Sequence, residues 1–272
     1  MATIHRAEQA LTPRFYPPPI VMHELFIFPI LARRMDHIIT VSRTSSRYLR
    51  DRLHIPADRI SLCPNAMGSG YRVLQQSDLS AKRKYGTGDA YFFHVSRFSE
   101  RKNPWTILRG FERFLRAQKG APFKLVLAGS GWDNPRVKRS LASHNLQHHV
   151  ILPGFIPENE VVELLNGATA FLFPSFAEGF GMPNLEAMAY GCPVITTSVF
   201  AIPEIVGDSA LLMENPADFL DLSQKMRVLV EDRALRTKLV EKGLKRAGLF
   251  SWKQSVQTLM SVYERLTSLL TP

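Results

Sequence analysis

Two carboxylates eight positions apart, Glu178 and Glu186, stand in the run Phe171 to Thr197, with Gly179, Phe180, Gly181, Met182 and Pro183 between them. Backbone N–H groups at the first turn of a helix attract anions, because they lack intrahelical partners and sit at the positive end of the dipole. The Gly179–Met182 amides would therefore favour a phosphate. A carboxylate cannot bind that phosphate, so the two glutamates must hold hydroxyls on either side of it. The ligand this suits has phosphate in the middle and polyols at both ends, which is the shape of a nucleotide sugar.

The surrounding residues supply the elements such a site needs. Ala170 to Phe173 is a short apolar run that reads as a buried strand, stopped by Pro174. A helix opens near Pro183, where a missing N–H does no harm. It runs through Leu185, Ala187, Met188 and Ala189 and stops at Gly191. Pro193-Val194-Ile195 then begins another strand. Both glutamates would lie at the C-terminal edge of a parallel sheet, where α/β folds bind ligands. Taken singly, Glu178 could merely end a strand and Glu186 merely favour the helix dipole. The full spacing resembles the Glu-x7-Glu motif of retaining glycosyltransferases of family four, which have the GT-B fold.

Further motifs agree with that resemblance. Strand Tyr91–Val95 leads into Ser96-Arg97-Phe98-Ser99-Glu100-Arg101-Lys102 before a helix from Trp105 to Gln118. Two cations at a strand's C-terminal end can neutralise a diphosphate, arginine as a planar fork and lysine as a compact charge. Alone, they would also suit a solvated basic loop. The resemblance makes Arg97 and Lys102 the pair that holds the donor pyrophosphate. Gly129 and Gly131 follow strand Phe123–Ala128, where they would let the backbone approach the nucleotide. After strand Val150–Leu152, the segment around Phe155 and Ile156 corresponds to the family's base-contacting loop. Thr3-Ile4-His5 resembles the strand end that carries a histidine near the reacting sugar, although Arg6 replaces the usual aspartate, and an unstructured terminus is the competing reading. By the resemblance, Glu178 holds the donor sugar, Glu186 holds the ribose, and Gly179, Phe180, Gly181, Met182 and Leu185 complete the donor site. Neither a metal nor a cofactor is expected.

The alternation of strands and helices from Tyr91 to Leu212 predicts an α/β fold with a parallel sheet. The implied architecture is GT-B, a complete C-terminal Rossmann-like domain with a partial N-terminal one. The expected boundaries are 1–68 for the partial acceptor-side domain, 69–88 for a linker, 89–250 for the nucleotide-sugar domain, and 251–272 for a helix crossing back. About 65 residues precede the crossover Pro64-Asn65-Ala66, whereas a doubly wound domain takes about 100 or more. On the last helix Trp252, Val256, Leu259, Met260, Tyr263 and Leu266 are spaced for one buried face, part of which the incomplete N-terminal domain would leave exposed.

The 272 residues carry a net charge of +10 and a pI near 9.8, with 45% hydrophobic and 21% charged residues. That balance describes an ordinary globular chain. Its positive charge permits an anionic substrate or an anionic membrane. With no nucleic-acid motif in view, nucleic acid is not expected as a partner. Cys63 and Cys192 are too few for a disulfide framework and read as inert. No apolar run approaches a membrane span. The expected setting is cytoplasmic, with peripheral contact at the inner membrane face through the partly amphipathic stretch Ile20–Arg34. The expected partners are a nucleotide sugar and a glycan or lipid-linked acceptor, with mannose or glucose as the sugar. The competing function is a non-catalytic nucleotide-sugar-binding module, or a fragment that needs a partner for the missing N-terminal strands.

Overall fold

Aromatic and β-branched runs of four or five residues, each followed by an amphipathic helix, build the larger sheet. The computed structural model describes residues 1–5, 9–68, 71, 73–74, 80–118 and 122–268. Six strands, β4 (Tyr91–Val95), β5 (Lys124–Ala128), β6 (Val150–Gly154), β7 (Ala170–Phe173), β8 (Val194–Thr197) and β9 (Leu211–Met213), pair in the order β6-β5-β4-β7-β8-β9. All the pairings are parallel. A parallel sheet is buried on both faces, so successive strand residues must serve opposite cores. Phe92 packs with Leu125, Leu127 and Leu172 on one side, and Phe93 with Val126, Phe171 and Phe173 on the other. Helices α5 (Pro104–Ala117), α6 (Pro135–Ser143) and α10 (Phe219–Glu231) contribute to the first core. Helices α7 (Glu158–Gly167), α8 (Met182–Ala189) and α9 (Ile202–Val206) contribute to the second.

The chain enters this sheet at β4, builds β5 and β6 to one side, then returns to build β7, β8 and β9 on the other. The reversal leaves a crevice beyond the C-terminal ends of β4 and β7, the position where open α/β sheets bind ligands. Loops 96–103 and 174–181 border it.

A smaller parallel sheet, β1-β2-β3, is formed by Ala2–Ile4, Ile38–Thr40 and Ile60–Leu62. Its core is Ala32, Ile38, Leu49, Leu53 and Ile55. Helix α3 (Arg43–Leu53) is N-capped by Ser42, whose hydroxyl accepts from Ser45 N at 3.1 Å. Residues 18–34 are helical throughout, as α1 (Pro18–Met22), a π-turn (His23–Ile27) and α2 (Phe28–Arg34). Pro29 lacks an N–H and crowds the preceding turn, so the wider π-turn falls where the α ladder cannot continue. One face of this stretch is solvent-facing: Ile20, Met22, Leu25, Phe26, Ile27, Ile30 and Leu31 are 40–60% exposed.

Two expectations are corrected. The 69–88 linker contains a helix, α4 (Ser80–Tyr85), among its described residues. Glu163 of α7 accepts from Ala81 N at 2.7 Å and Ser80 Oγ at 3.0 Å, so the polar composition belongs to a helix capped from another element. Helix α10 starts at Phe219, where the Asp218 carboxylate caps the Leu220 and Asp221 N–H groups. On α12 (Trp252–Ser268), Trp252, Val256, Met260 and Tyr263 are 45–51% exposed, and the buried residues are Ser255 and Val262. The helix does cross back to the smaller sheet. Ser255 Oγ donates to Pro64 O at 2.6 Å, and Arg265 reaches the His37 ring at 3.3 Å. The stripe that makes these contacts lies beside the one the apolar periodicity selects. Helix α11 (Arg233–Ala247) packs on α8.

Candidate active site

A cavity of about 520 Å³ opens at the switch point. Arg97, Gly129, Phe155, Ile156 and Glu186 line it together, although they come from three loops and a helix. Val95, Ser96, Ser130, Glu158, Pro183 and Tyr190 complete much of the wall. Arg97 is exposed and, among the described residues, makes no ion pair. Its guanidinium is an accessible positive charge of the crevice. Phe155 is 84% exposed, whereas Ile156 is buried, so one ring stands at the rim and one aliphatic chain forms the floor.

Gly129 has a physical reason to be glycine. Its φ is +111°, and a Cβ there would lie 2.1 Å from Ser96 O. The close neighbour is the protein's own Ser96–Arg97 backbone, so Gly129 brings two loops together where they form the cavity wall. Gly131, at φ +85°, packs against Phe98 instead.

Lys102 and Glu178 meet just beside the cavity. Glu178 Oε1 accepts from Lys102 Nζ at 2.6 Å and Ser175 Oγ at 2.7 Å, and Arg101 lies 2.7 Å away. Lys102 also lies 4.4 Å from the Phe173 ring centre. Burial works against the charge of Glu178, but Lys102, Arg101 and the hydrogen bonds outweigh it and hold its pKa below the usual carboxylate range. Glu186 shows the opposite balance. Burial foremost, then Glu158, pushes its pKa up, and Lys102 only partly compensates. Two glutamates of one motif thus stand in opposite electrostatic settings.

The other expected residues separate. Gly179 borders a pocket of only about 30 Å³, with Leu11, Thr44, Ser45, Tyr48, Glu178 and Phe200. Phe180 and Leu185 are core residues and do not line the cavity; Phe180 packs edge-on against Phe250. Met182 is half-buried against the same core. Gly181, at φ +91°, precedes α8. His5 is exposed at the end of β1 and, among the described residues, makes no hydrogen bond or ion pair. Arg6 lies outside the described residues.

Several participants have no place in the expected set. Arg101 joins Lys102 on Glu178, and the adjacent Arg-Lys pair was the available signal. Asn184 is fully buried beside Gly181, with both side-chain polar atoms unpaired among the described residues. A buried amide without a partner is uncommon in proteins. Across the crevice, Glu204 of α9 accepts from Arg43 N at 3.0 Å and Thr44 N at 3.1 Å. These are first-turn N–H groups of α3, so a carboxylate of one sheet's helix caps a helix of the other. Phe15 stacks on Phe176 at 5.1 Å, with Arg14 over both rings. Among the described residues no group of three or more His, Cys, Asp or Glu side chains could hold a metal.

A parallel sheet with a diphosphate-sized crevice at its switch point, an accessible arginine and a recessed carboxylate define a protein built to bind a nucleotide. The family model described as glycosyl transferases group 1 matches residues 75–246, and the chain belongs to that family. The sequence is 28% identical to the O-antigen chain mannosyltransferase B of Escherichia coli, over 96% of this chain and 72% of that protein. In fold it matches sucrose-phosphate synthase from Thermosynechococcus elongatus with a TM-score of 0.83 at 22% identity, over 98% of this chain and 67% of the other. It also matches Anabaena HepE, solved with UDP and glucose, with a TM-score of 0.81 at 20% identity, over 98% and 71%. The architecture is GT-B: the six-stranded sheet is the Rossmann-like half, and the three-stranded sheet is a smaller counterpart. The class of reaction is sugar transfer from a nucleotide-activated donor.

Proposed function

We propose that this chain is a retaining hexosyltransferase that moves mannose or glucose from a nucleoside diphosphate sugar to a glycan or lipid-linked acceptor. The observation that carries this reading is the gathering of Arg97, Gly129, Ile156 and Glu186 around one cavity at the switch point. In the proposed complex Arg97 faces the diphosphate and stabilises the charge that grows on it as the sugar bond breaks. Such preorganised charge acts most strongly where water is excluded. Lys102, held between Glu178 and Phe173, adds a second cation without leaving the protein interior. The Glu186 carboxylate accepts from the ribose hydroxyls. The Glu178 loop places the donor sugar, and the base lies between Ile156 and the rim at Phe155. The two cations take the electrostatic part that a metal plays elsewhere.

The relative from Escherichia coli is named a mannosyltransferase, which favours a mannose donor for this chain. Calorimetric titration with UDP, GDP, UDP-glucose and GDP-mannose tests the reading. One nucleotide should bind, its sugar form should bind too, and a radiolabelled sugar should pass to an acceptor glycan. Failure of all four to bind would sink the proposal. Nucleotide binding without turnover would favour the non-catalytic module instead.

For the acceptor side, the exposed apolar face of residues 18–34 with Arg33 and Arg34 at its end suits the surface of an anionic bilayer. No helix among the described residues is long and apolar enough to cross a membrane. Co-sedimentation with phosphatidylglycerol vesicles, lost on Phe26→Glu, is the expected result. Absence of co-sedimentation with the anionic vesicles would remove the contact.

A further inference from the structure

One side chain in the cavity wall has its hydrogen-bonding direction set from behind. Ser96 lines the cavity next to Arg97. Its backbone is tied on both sides: N donates to Ala128 O at 3.0 Å, and O accepts from Trp132 Nε1 at 2.8 Å. Its hydroxyl, one residue beyond the end of β4, lies 2.7 Å from Nε2 of His94, two residues earlier in the chain.

The protonation of His94 follows from its other nitrogen. Nδ1 is 2.7 Å from Leu172 O, and a carbonyl can only accept, so Nδ1 carries a proton. The ring is completely buried, stacked against Phe171 and Phe173 and edge-on to Trp132. A second proton would place a charge in that apolar stack. Burial pushes the pKa down to about 4, with Lys102 adding to the effect and the bond to Leu172 opposing it. The neutral ring therefore offers a lone pair at Nε2, and the Ser96 hydroxyl must donate its only proton to it. What remains of Ser96 on the ligand side is lone pairs.

We propose that His94 is a positioning residue that makes Ser96 an acceptor-only group in the nucleotide cavity, so that this point of the wall selects a hydrogen-bond donor of the nucleoside, a ribose hydroxyl or a base N–H, and disfavours a phosphate oxygen. The assignment rests on the nucleotide reading of the cavity. It gives the wall two signs within two residues: Arg97 donates to the diphosphate, and Ser96 accepts from the nucleoside.

Titration of wild type, Ser96→Ala, His94→Phe and His94→Gln tests it, using UDP, GDP, their 2′-deoxy and 3′-deoxy forms, and pyrophosphate. One hydrogen bond corresponds to about a fivefold to tenfold change in affinity. Ser96→Ala and His94→Phe should each lose that factor toward the nucleoside diphosphate and raise the donor KM with little change in kcat, while pyrophosphate binding stays as in wild type. His94→Gln should recover most of the loss, because one amide can donate to Leu172 O and accept from Ser96. If the partner is a ribose hydroxyl, one deoxy nucleotide will bind wild type and Ser96→Ala equally. If it is a base N–H, both deoxy forms will show the full loss, and UDP and GDP will differ in it. The ¹⁵N spectrum of histidine-labelled protein should place His94 Nε2 among unprotonated nitrogens at neutral pH. A protonated Nε2, an unchanged nucleotide affinity in Ser96→Ala, or an equal loss for pyrophosphate would each overturn the assignment. Failure of wild type to bind either nucleotide would instead remove the reading beneath it, and the His94 resonance distinguishes the two failures.

Discussion

The crevice has two ends that differ in size and in what builds them. At the Glu186 end the cavity is about 520 Å³, and nearly all of its wall comes from the loops and helices of the six-stranded half. At the Glu178 end only about 30 Å³ remains, and Leu11, Thr44, Ser45 and Tyr48 bring the smaller, N-terminal part of the molecule to the wall. One end is a local property of a single sheet. The other depends on how two halves meet, through the Phe15–Phe176 stack and the Glu204 cap on α3. Nucleotide binding should therefore tolerate changes at the junction, whereas placement of the sugar should not.

The largest expected effect separates the two glutamates. Glu178→Ala leaves Arg101 and Lys102 without their shared carboxylate and should cost about 3–5 kcal/mol of folding stability in chemical denaturation. Glu186→Ala should leave stability nearly unchanged. If both variants lose stability equally, the contrast between the two ends fails. Next, Arg97→Ala should slow sugar transfer by about 10²–10³-fold in single-turnover experiments, with a much smaller loss of nucleotide affinity. Equal losses in both would make Arg97 a ground-state binding residue only.

Acid should affect the two ends at different pH. The Glu186 pKa is raised, so nucleotide affinity should fall as pH drops through that raised value and its acceptor oxygens are protonated. The Glu178 pKa is depressed, so the stability of its ion pairs is present above the ordinary carboxylate range and is lost only as pH falls through its lower folded value. Calorimetry over a pH series should show affinity failing before the fold does, and Glu186→Gln should flatten the affinity profile. The smallest effect belongs to the junction. Phe15→Ala removes an aromatic stack worth about 1 kcal/mol and opens the Glu178 end. Affinity for the sugar nucleotide should change relative to the bare nucleotide, whose own affinity should hold. A drop in both together would show that the ends are not independent.

What could be read along the chain follows from how far apart the partners lie. Glu178, Gly181 and Glu186 belong to one strand–loop–helix unit, so spacing alone placed them on a sheet edge. His94 and Ser96 are two apart across the end of β4, a relation open to pattern reading, yet His94 reads there only as one more residue of an apolar run. The Arg101–Glu178 and Glu204–Arg43 contacts span 77 and 161 positions; Arg101 is flagged only by its place beside Lys102, and no local signal announces the Glu204 cap. On α12 the period of 3.6 is correct, but two neighbouring stripes satisfy it. The packing of Ser255 on Pro64 turns the less apolar one inward. The same limit applies to Phe180 and Leu185: hydrophobic residues inside a binding motif are core when the turn points them inward.

The sequence alone determined the parallel α/β sheet, its crevice-edge motifs and the family, because hydrophobic periodicity, turn residues and short spacings act over a few residues. The tertiary structure alone decided which glutamate is paired with cations and which lines the cavity, which nitrogen of His94 carries the proton, and how little space remains at the Glu178 end. Those outcomes depend on burial and on charges from distant segments, and both exist only once the chain has closed on itself.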